Sequence, residues 1–491
     1  MSAGGLNVER LETEVAVIGG GGAGLAAAVA AAEKGVSVIV LEKRHSLGGN
    51  SALARGLFGV ESPTQKRLYI DVRRDDAFKL AMKYARWKID PKLVRTFIDR
   101  SGDTIQWLEE KGVAFDVLSN WPNQFPRTWH CPRGKGFGAE IIKVLAKNCE
   151  ACGIRVLTQT RAREILTRDN KIVGILATTR QGQTLRIMAS AIIIATGGFG
   201  GNVKMLKTYF PYYNENIHLA GVPNAGDGIV MARKVGAAET PVILHLEGCA
   251  FVSGEPATLT AAAQQPFTVW VNKRGERFID ESYITRDNVF EAAWAVLRQP
   301  DGMHYSLFDE SIKRKLMEDG IEKGHRKSAG AAVYPPGTKL RDLEHVLQAA
   351  AKKGAIVISN SWDEIAKWMG VAPECLRVTI EEYNLFCDRG RDEIFAKERR
   401  YLLALRTPPY YAVKCGTRLL GTIGSIKVNH RMEAIDREGN PIPGLYAAGI
   451  DTGDWEPDTY NLHLSGSTFG FAVNSGRIAG ENAADCVEKR L

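Results

Sequence analysis

Residues 14–18, Glu-Val-Ala-Val-Ile, are apolar without alternation, the pattern of a short strand buried on both faces. Gly19-Gly20-Gly21-Gly22-Ala23-Gly24 follows, and the Ala-rich stretch from Leu25 to Lys34 predicts a helix closed by Gly35. Residues 36–41 predict a second buried strand, which ends at Glu42. Residues 187–195 and 445–448 are further apolar runs, ending in Thr196-Gly197-Gly198 and in Gly449. Residues 75–112 predict helices with Trp87, Leu93, Phe97 and Trp107 on periodic faces. From 241 to 404 the pattern changes to a strand at 269–272, a turn at 273–276, and helices near 287–298, 341–353, 361–370 and 373–389. Pro408-Pro409 marks the return to the first domain, and a last helix starts near Ser467 and Thr468.

Strand, glycine turn, helix, strand and acid together are the full context of a dinucleotide-binding fingerprint. Gly19 makes the tight turn, Gly21 admits a pyrophosphate, and Gly24 lets helix and strand pack closely. The helix N-terminus, with Gly22 and Ala23, faces the phosphate with its positive end. Glu42 stands where it accepts bonds from ribose hydroxyls and repels a 2′-phosphate. A second glycine loop, Gly48-Gly49-Asn50-Ser51-Ala52-Leu53-Ala54-Arg55-Gly56, follows at once. A flavin needs such a loop, because its diphosphate and ribityl chain continue past the first turn.

Composition narrows the reading further. Charged residues make up 24% and hydrophobic ones 45%, the mix of a folded globular chain, and no apolar run is long enough to span a membrane. The net charge of +8 suits anionic ligands, but the basic residues are spread out and no nucleic-acid motif accompanies them. Residues 1–13 are polar, unlike a secretory leader, and the eight cysteines are scattered; a reducing cytoplasm is the expected location. Cys149 and Cys152 form a lone C-x-x-C without a second ligand pair, so no metal site is expected.

Over nearly its whole length the chain resembles the fumarate reductase/succinate dehydrogenase flavoprotein superfamily, in its soluble single-chain branch. The motifs are Val17-Ile18-Gly19-x-Gly21-x-x-Gly24, Leu41-Glu42-Lys43, Gly48-Gly49-Asn50-Ser51, Ala195-Thr196-Gly197-Gly198-Phe199, Gly226-Asp227-Gly228, Val271-Asn272-x-x-Gly275-x-Arg277-Phe278, Pro443-Gly444-Leu445-Tyr446-Ala447-Ala448-Gly449 and Gly476-Arg477-Ile478-Ala479-Gly480. The resemblance implies an α/β fold: a doubly wound, Rossmann-like FAD-binding domain (1–240, with a helical insertion at about 65–135, and 405–491) and an inserted α+β capping domain (241–404). It adds Ala162, Asp451, Ser467 and Thr468 to the expected FAD contacts. Asn50 stands where membrane-bound members carry a flavin-linking histidine, which implies non-covalent FAD.

The resemblance also implies hydride transfer between flavin N5 and a carbon–carbon bond conjugated to a carboxylate or ketone. Arg286, in Arg277-Phe278-Ile279-Asp280-Glu281-Ser282-Tyr283-Ile284-Thr285-Arg286-Asp287, falls at the proton-donor position. The dicarboxylate ligands do not carry over: Leu420-Gly421 replaces a histidine pair before Thr422, and His463 replaces an arginine. Trp121, Trp129, Trp455, Tyr460 and Phe469 border the expected site, so a bulky, ring-containing substrate is expected, bound by Trp129, Thr422, Trp455, Tyr460 and His463. Tyr283 and His463 are further catalytic candidates, and His130 is expected at the surface. Two alternatives stay open: a dehydrogenase of a cyclic ketone or acid, and an electron-transfer subunit that needs a partner. The external electron donor or acceptor is a quinone, a reduced flavin or a redox protein.

Overall fold

The computed structural model describes residues 8–118, 126–134, 136–169, 171–246, 248, 250, 252–283, 289–326, 333–458 and 460–488. It divides into two compact units. The first holds the chain up to Met205, Gly221–His245 and the chain from Leu420 onward; the second holds Leu206–Ala220 and Leu246–Leu419.

The first unit is built on a parallel sheet. Its elements are β1 (Val15–Ile18), α1 (Gly22–Ala32), β2 (Val38–Leu41), α2 (Arg74–Tyr84), α3 (Pro91–Glu110), α4 (Gly138–Ala151), β3 (Arg155–Leu157), β4 (Ala191–Ile194), β5 (Glu433–Ile435), β6 (Pro441–Ala447) and α5 (Ser467–Glu488). The strand order is β5-β6-β4-β1-β2-β3, with only β5 antiparallel. Every residue of β1, β2 and β4 is buried, which is why these strands read as unbroken apolar runs. Helices α1 and α5 pack backbone to backbone: a Cβ on Gly476 would meet Ala23 O at 2.1 Å, and one on Gly480 would meet Ala27 O at 2.2 Å.

The run at 187–195 is two strands in two sheets. Thr184–Met188 pairs with Val8–Glu12 and Lys171–Thr179, whereas β4 lies between β1 and β6. The chain turns at Ser190 and Ala191, whose N–H groups both donate to Glu14 O at 3.0 Å. Trp87 is not on a buried face either. It sits 65% exposed in the turn after α2, with φ at +59°.

The second unit has a four-stranded antiparallel sheet, ordered Val269–Val271, His304–Asp309, Tyr410–Cys415, Ile356–Ser359. Helices at Leu343–Lys352, Trp362–Met369 and Pro373–Arg389 complete an α+β fold. Tyr410–Cys415 is a central strand of this sheet, so the unit continues to Leu419 rather than ending before Pro408-Pro409. Its interior holds a closed charge network. Arg277 Nη2 lies 2.9 Å from both Glu281 and Asp392, and Lys397 Nζ lies 3.1 Å from Glu281. Two cations against two anions, all 5% exposed or less, offset one another's desolvation.

Candidate active site

The glycine turn after β1 is assembled from both glycine loops. A Cβ on Gly19, whose φ is +113°, would strike Ala195 O at 2.1 Å, so only glycine fits. Glu42 holds the turn with both carboxylate oxygens: Gly20 N–H donates to Oε2 and Arg44 N–H to Oε1, each at 2.8 Å. Gly48 N–H donates to Gly20 O at 2.8 Å, and Gly22 N–H to Ser51 Oγ at 3.1 Å. Gly21 caps α1 without any side-chain bond, and the nearest atom to a Cβ there is Gly48 O at 3.7 Å. A concave backbone cradle thus lies at the positive end of a buried helix, a site suited to a pyrophosphate. Gly49 is open on its Cβ side.

The other expected contacts gather around this cradle. Asn50 Oδ1 accepts from Val222 N–H at 2.6 Å, and its Nδ2 reaches Leu420 O at 3.4 Å. Asp451, fully buried, gathers the Thr196–Gly198 turn, accepting from Gly198 N–H at 2.7 Å, Gly197 N–H at 3.2 Å and Thr196. Desolvation raises its pKa, and these bonds oppose the rise. Lys43 and Asp227 lie 3.2 Å apart, with Arg161 also on Asp227 at 2.5 Å, so their charges serve one another. Ala162 stands two residues after Thr160, whose N–H donates to Glu42 O at 2.9 Å. Ala54 O accepts from Gly138 N–H at 2.8 Å, and Gly56 packs against His130 O. Gly449 N–H donates to Ser475 Oγ at 2.9 Å. At the N-terminus of α5, Ser467 Oγ and Thr468 Oγ1 are buried beside Glu456 and Tyr460. The open backbone cradle at the start of α1, the buried hydroxyls at the start of α5 and the Thr196–Gly198 turn fit FAD.

The substrate-side candidates separate into two groups. Thr422 and Trp455 do not present themselves to a ligand. Thr422 is fully buried with Oγ1 on Phe199 N–H at 2.9 Å; Trp455 is 3% exposed, stacks on Phe471 at 4.0 Å and donates Nε1–H to Thr452 O. Phe469 is buried too. Tyr460 and His463 come together with His245 and Tyr84. The Tyr460 ring stacks on His245 at 4.8 Å, His463 packs edge-on to Tyr84 at 5.3 Å, and Tyr84 Oη donates to Tyr460 O at 3.2 Å. Asp90 N–H on Asp454 O, at 2.7 Å, and the Lys88–Asp458 pair fasten the α2–α3 turn to the same loop. Burial drives His245 down to about 4, so its imidazole is neutral.

Glu456 was missed by sequence reasoning; the acid between Trp455 and Pro457 was its only signal. It is 8% exposed, accepts from Asn461 N–H at 2.8 Å, and desolvation lifts its pKa to about 8. His130 is buried rather than superficial. Its Nδ1–H donates to Thr128 O at 3.0 Å, Ser62 Oγ–H donates to Nε2 at 2.7 Å, and burial lowers its pKa to about 4. In the second unit, Tyr283 donates to Glu291 at 2.7 Å; burial and that carboxylate raise it to about 12. Arg286 and Trp121 lie outside the described residues. No metal-binding group of side chains, and no helix long and apolar enough to cross a membrane, exists among the described residues.

Comparison with known proteins agrees with this geometry. The chain is 32% identical over 486 residues to a vinyl phenol reductase of Lactiplantibacillus plantarum, covering 96% of each chain. It is 30% identical to a urocanate reductase of Eggerthella lenta, covering 96% of this chain and 75% of that one. The open conformation of a flavocytochrome c3 fumarate reductase superposes with a TM-score of 0.72 at 28% identity, covering 97% of this chain and 79% of the other. The FAD binding domain family matches residues 14–460, and the chain belongs to that family as an FAD-dependent oxidoreductase acting on carbon–carbon bonds.

Proposed function

We propose that the protein reduces the carbon–carbon double bond of a ring-bearing unsaturated compound, with Arg286 supplying the proton. The observation that carries this reading is the chemistry of the loop before α5. Its polar groups include Tyr460, His463 and the buried Glu456, beside a neutral His245; no arginine stands among Asn461-Leu462-His463-Leu464-Ser465-Gly466. Such a surface lacks the fork that a dicarboxylate requires and offers flat rings instead. The vinyl phenol and urocanate reductases act on the compounds in their names, and both compounds carry a ring.

Bound FAD supplies the hydride at N5. The chain supplies the rest. The helix dipole of α5 and the Ser467 and Thr468 hydroxyls stabilise charge at its N-terminus. Arg286 delivers a proton to the carbon next to the activating group, where negative charge develops. Tyr283 is a poor base for the reverse reaction, because its hydroxyl is engaged by Glu291 and its pKa is about 12. Asn50 in place of a histidine supports non-covalent FAD. Electrons enter from an external donor.

The test is anaerobic reoxidation of dithionite-reduced holoprotein by 4-vinylphenol, urocanate, 4-hydroxycinnamate and fumarate. Ring-bearing alkenes are expected to reoxidise the reduced flavin at least about 10²-fold faster than fumarate. Equal or faster reoxidation by fumarate overturns the reading. Arg286→Ala and Arg286→Gln are expected to retain FAD and substrate affinity yet lose at least about 10²-fold in turnover, the low end for a general acid. Near-normal turnover in either variant moves the proton donor to another group.

A further inference from the structure

We propose that Arg55 binds an oxyanion, a phosphate or a carboxylate, with the N–H edge of its guanidinium. Arg55 lies in the second glycine loop, between Ala54 and Gly56. Its Nε is buried and has no hydrogen-bond partner, and the side chain makes no hydrogen bond or ion pair among the described residues. Three other part-buried arginines are paired with carboxylates: Arg100 and Arg477 with Glu481, Arg277 with Glu281 and Asp392. A half-buried cation without an anion loses part of its hydration uncompensated, so an unpaired one in a fixed place points to a missing partner.

The place is fixed. Gly138 N–H holds Ala54 O at 2.8 Å, and the close approach of Gly56 to His130 O holds the other side. The guanidinium carbon lies 5.0 Å from the Trp129 ring centroid and 5.6 Å from that of Phe137. The guanidinium carbon stands over both ring faces, and the N–H edge of a guanidinium has the geometry of a bidentate oxyanion fork. The glycine loop that carries Arg55 also carries Gly48 and Ser51, which meet the pyrophosphate cradle. Two sources of the anion therefore share one chemistry: the diphosphate of FAD and a carboxylate on the substrate. The inference needs the loop to face FAD; it does not need the ring-substrate proposal, because neither measurement below involves turnover.

Two binding measurements distinguish the sources. Arg55→Met keeps the stem against Trp129 and Phe137 and removes the charge. The first measures FAD rebinding to apoprotein by quenching of FAD fluorescence. The second measures cinnamate and uncharged cinnamamide binding to oxidised holoprotein by perturbation of the flavin spectrum. If the anion is the diphosphate, Arg55→Met weakens FAD at least about tenfold. If it is a substrate carboxylate, cinnamate weakens at least about tenfold and cinnamamide does not. Unchanged FAD and cinnamate affinities overturn the proposal, as does equal weakening of cinnamate and cinnamamide with FAD unchanged, which marks a packing role. Should Arg55→Met fail to fold, Arg55→Lys decides. It keeps the charge and loses the fork, and affinity for FAD or cinnamate must fall at least about threefold or the proposal fails.

Discussion

Glu456 is a carboxyl whose protonation changes with folding inside the physiological range. Its pKa moves from the ordinary 4.5 to about 8 on burial. Between those values the folded chain keeps a proton that the unfolded chain has lost, so stability falls as pH rises through the window. His130 and His245, lowered to about 4, and His304, lowered to about 3, act oppositely and only below 6.5. From pH 6.5 to 8 Glu456 is thus the dominant shifted group among these four. The urea midpoint should drop over that interval by the equivalent of about 2 kcal/mol, and Glu456→Gln should flatten the drop. A slope unchanged in Glu456→Gln assigns the effect elsewhere. The contrast with the glycine motifs shows what a sequence reveals at this scale. Gly19 and Gly24 are legible because a backbone demand admits one residue type: a Cβ there would strike Ala195 O and Gly19 O. Glu456, Thr422 and Trp455 are not legible, because their state depends on what distant segments bury them.

At the scale of elements, the junction of α1 with α5 sets where the N-termini of the two helices stand. Gly476 and Gly480 allow the contact, and the atoms they approach are backbone carbonyls that cannot swing away. Gly480→Ala should therefore cost about 1–3 kcal/mol in urea unfolding, in line with overpacking. It should also weaken FAD retention, because α5 carries Ser467 and Thr468 at its start. A stable variant with normal FAD affinity would show that the helices part without moving their N-termini. The strands β1 and β2 were legible from apolar runs alone. The break between Thr184–Met188 and β4 was not, since both halves are apolar and only Glu14 O, far away in sequence, turns the chain. Trp87 misled for a related reason: its spacing suits a helix face, but the helix ends first.

For the whole molecule, the two units rest on different kinds of interior. The first is a glycine- and alanine-rich sandwich of helix and sheet around a cofactor cradle. The second is anchored by Arg277, Glu281, Asp392 and Lys397. The sequence reading drew the second unit at 241–404, whereas it holds Leu206–Ala220 and runs on to Leu419, because Tyr410–Cys415 declares its partners only through register with His304–Asp309 and Ile356–Ser359. This difference gives the units separable responses. Lys397→Met leaves the pair of carboxylates facing one cation, and breaking a buried pair costs about 3–5 kcal/mol. Hydrogen exchange should then accelerate within Leu246–Leu419 while exchange in β1, β2 and β4 stays slow and FAD affinity stays unchanged. Excess FAD, at about 100 times its Kd, should slow exchange in the first unit by the equivalent of about 2.7 kcal/mol and leave the buried network's protection as it was. Acceleration spread evenly over both units in Lys397→Met, or FAD protection reaching Leu246–Leu419 in full, would mean that the molecule opens as one cooperative body.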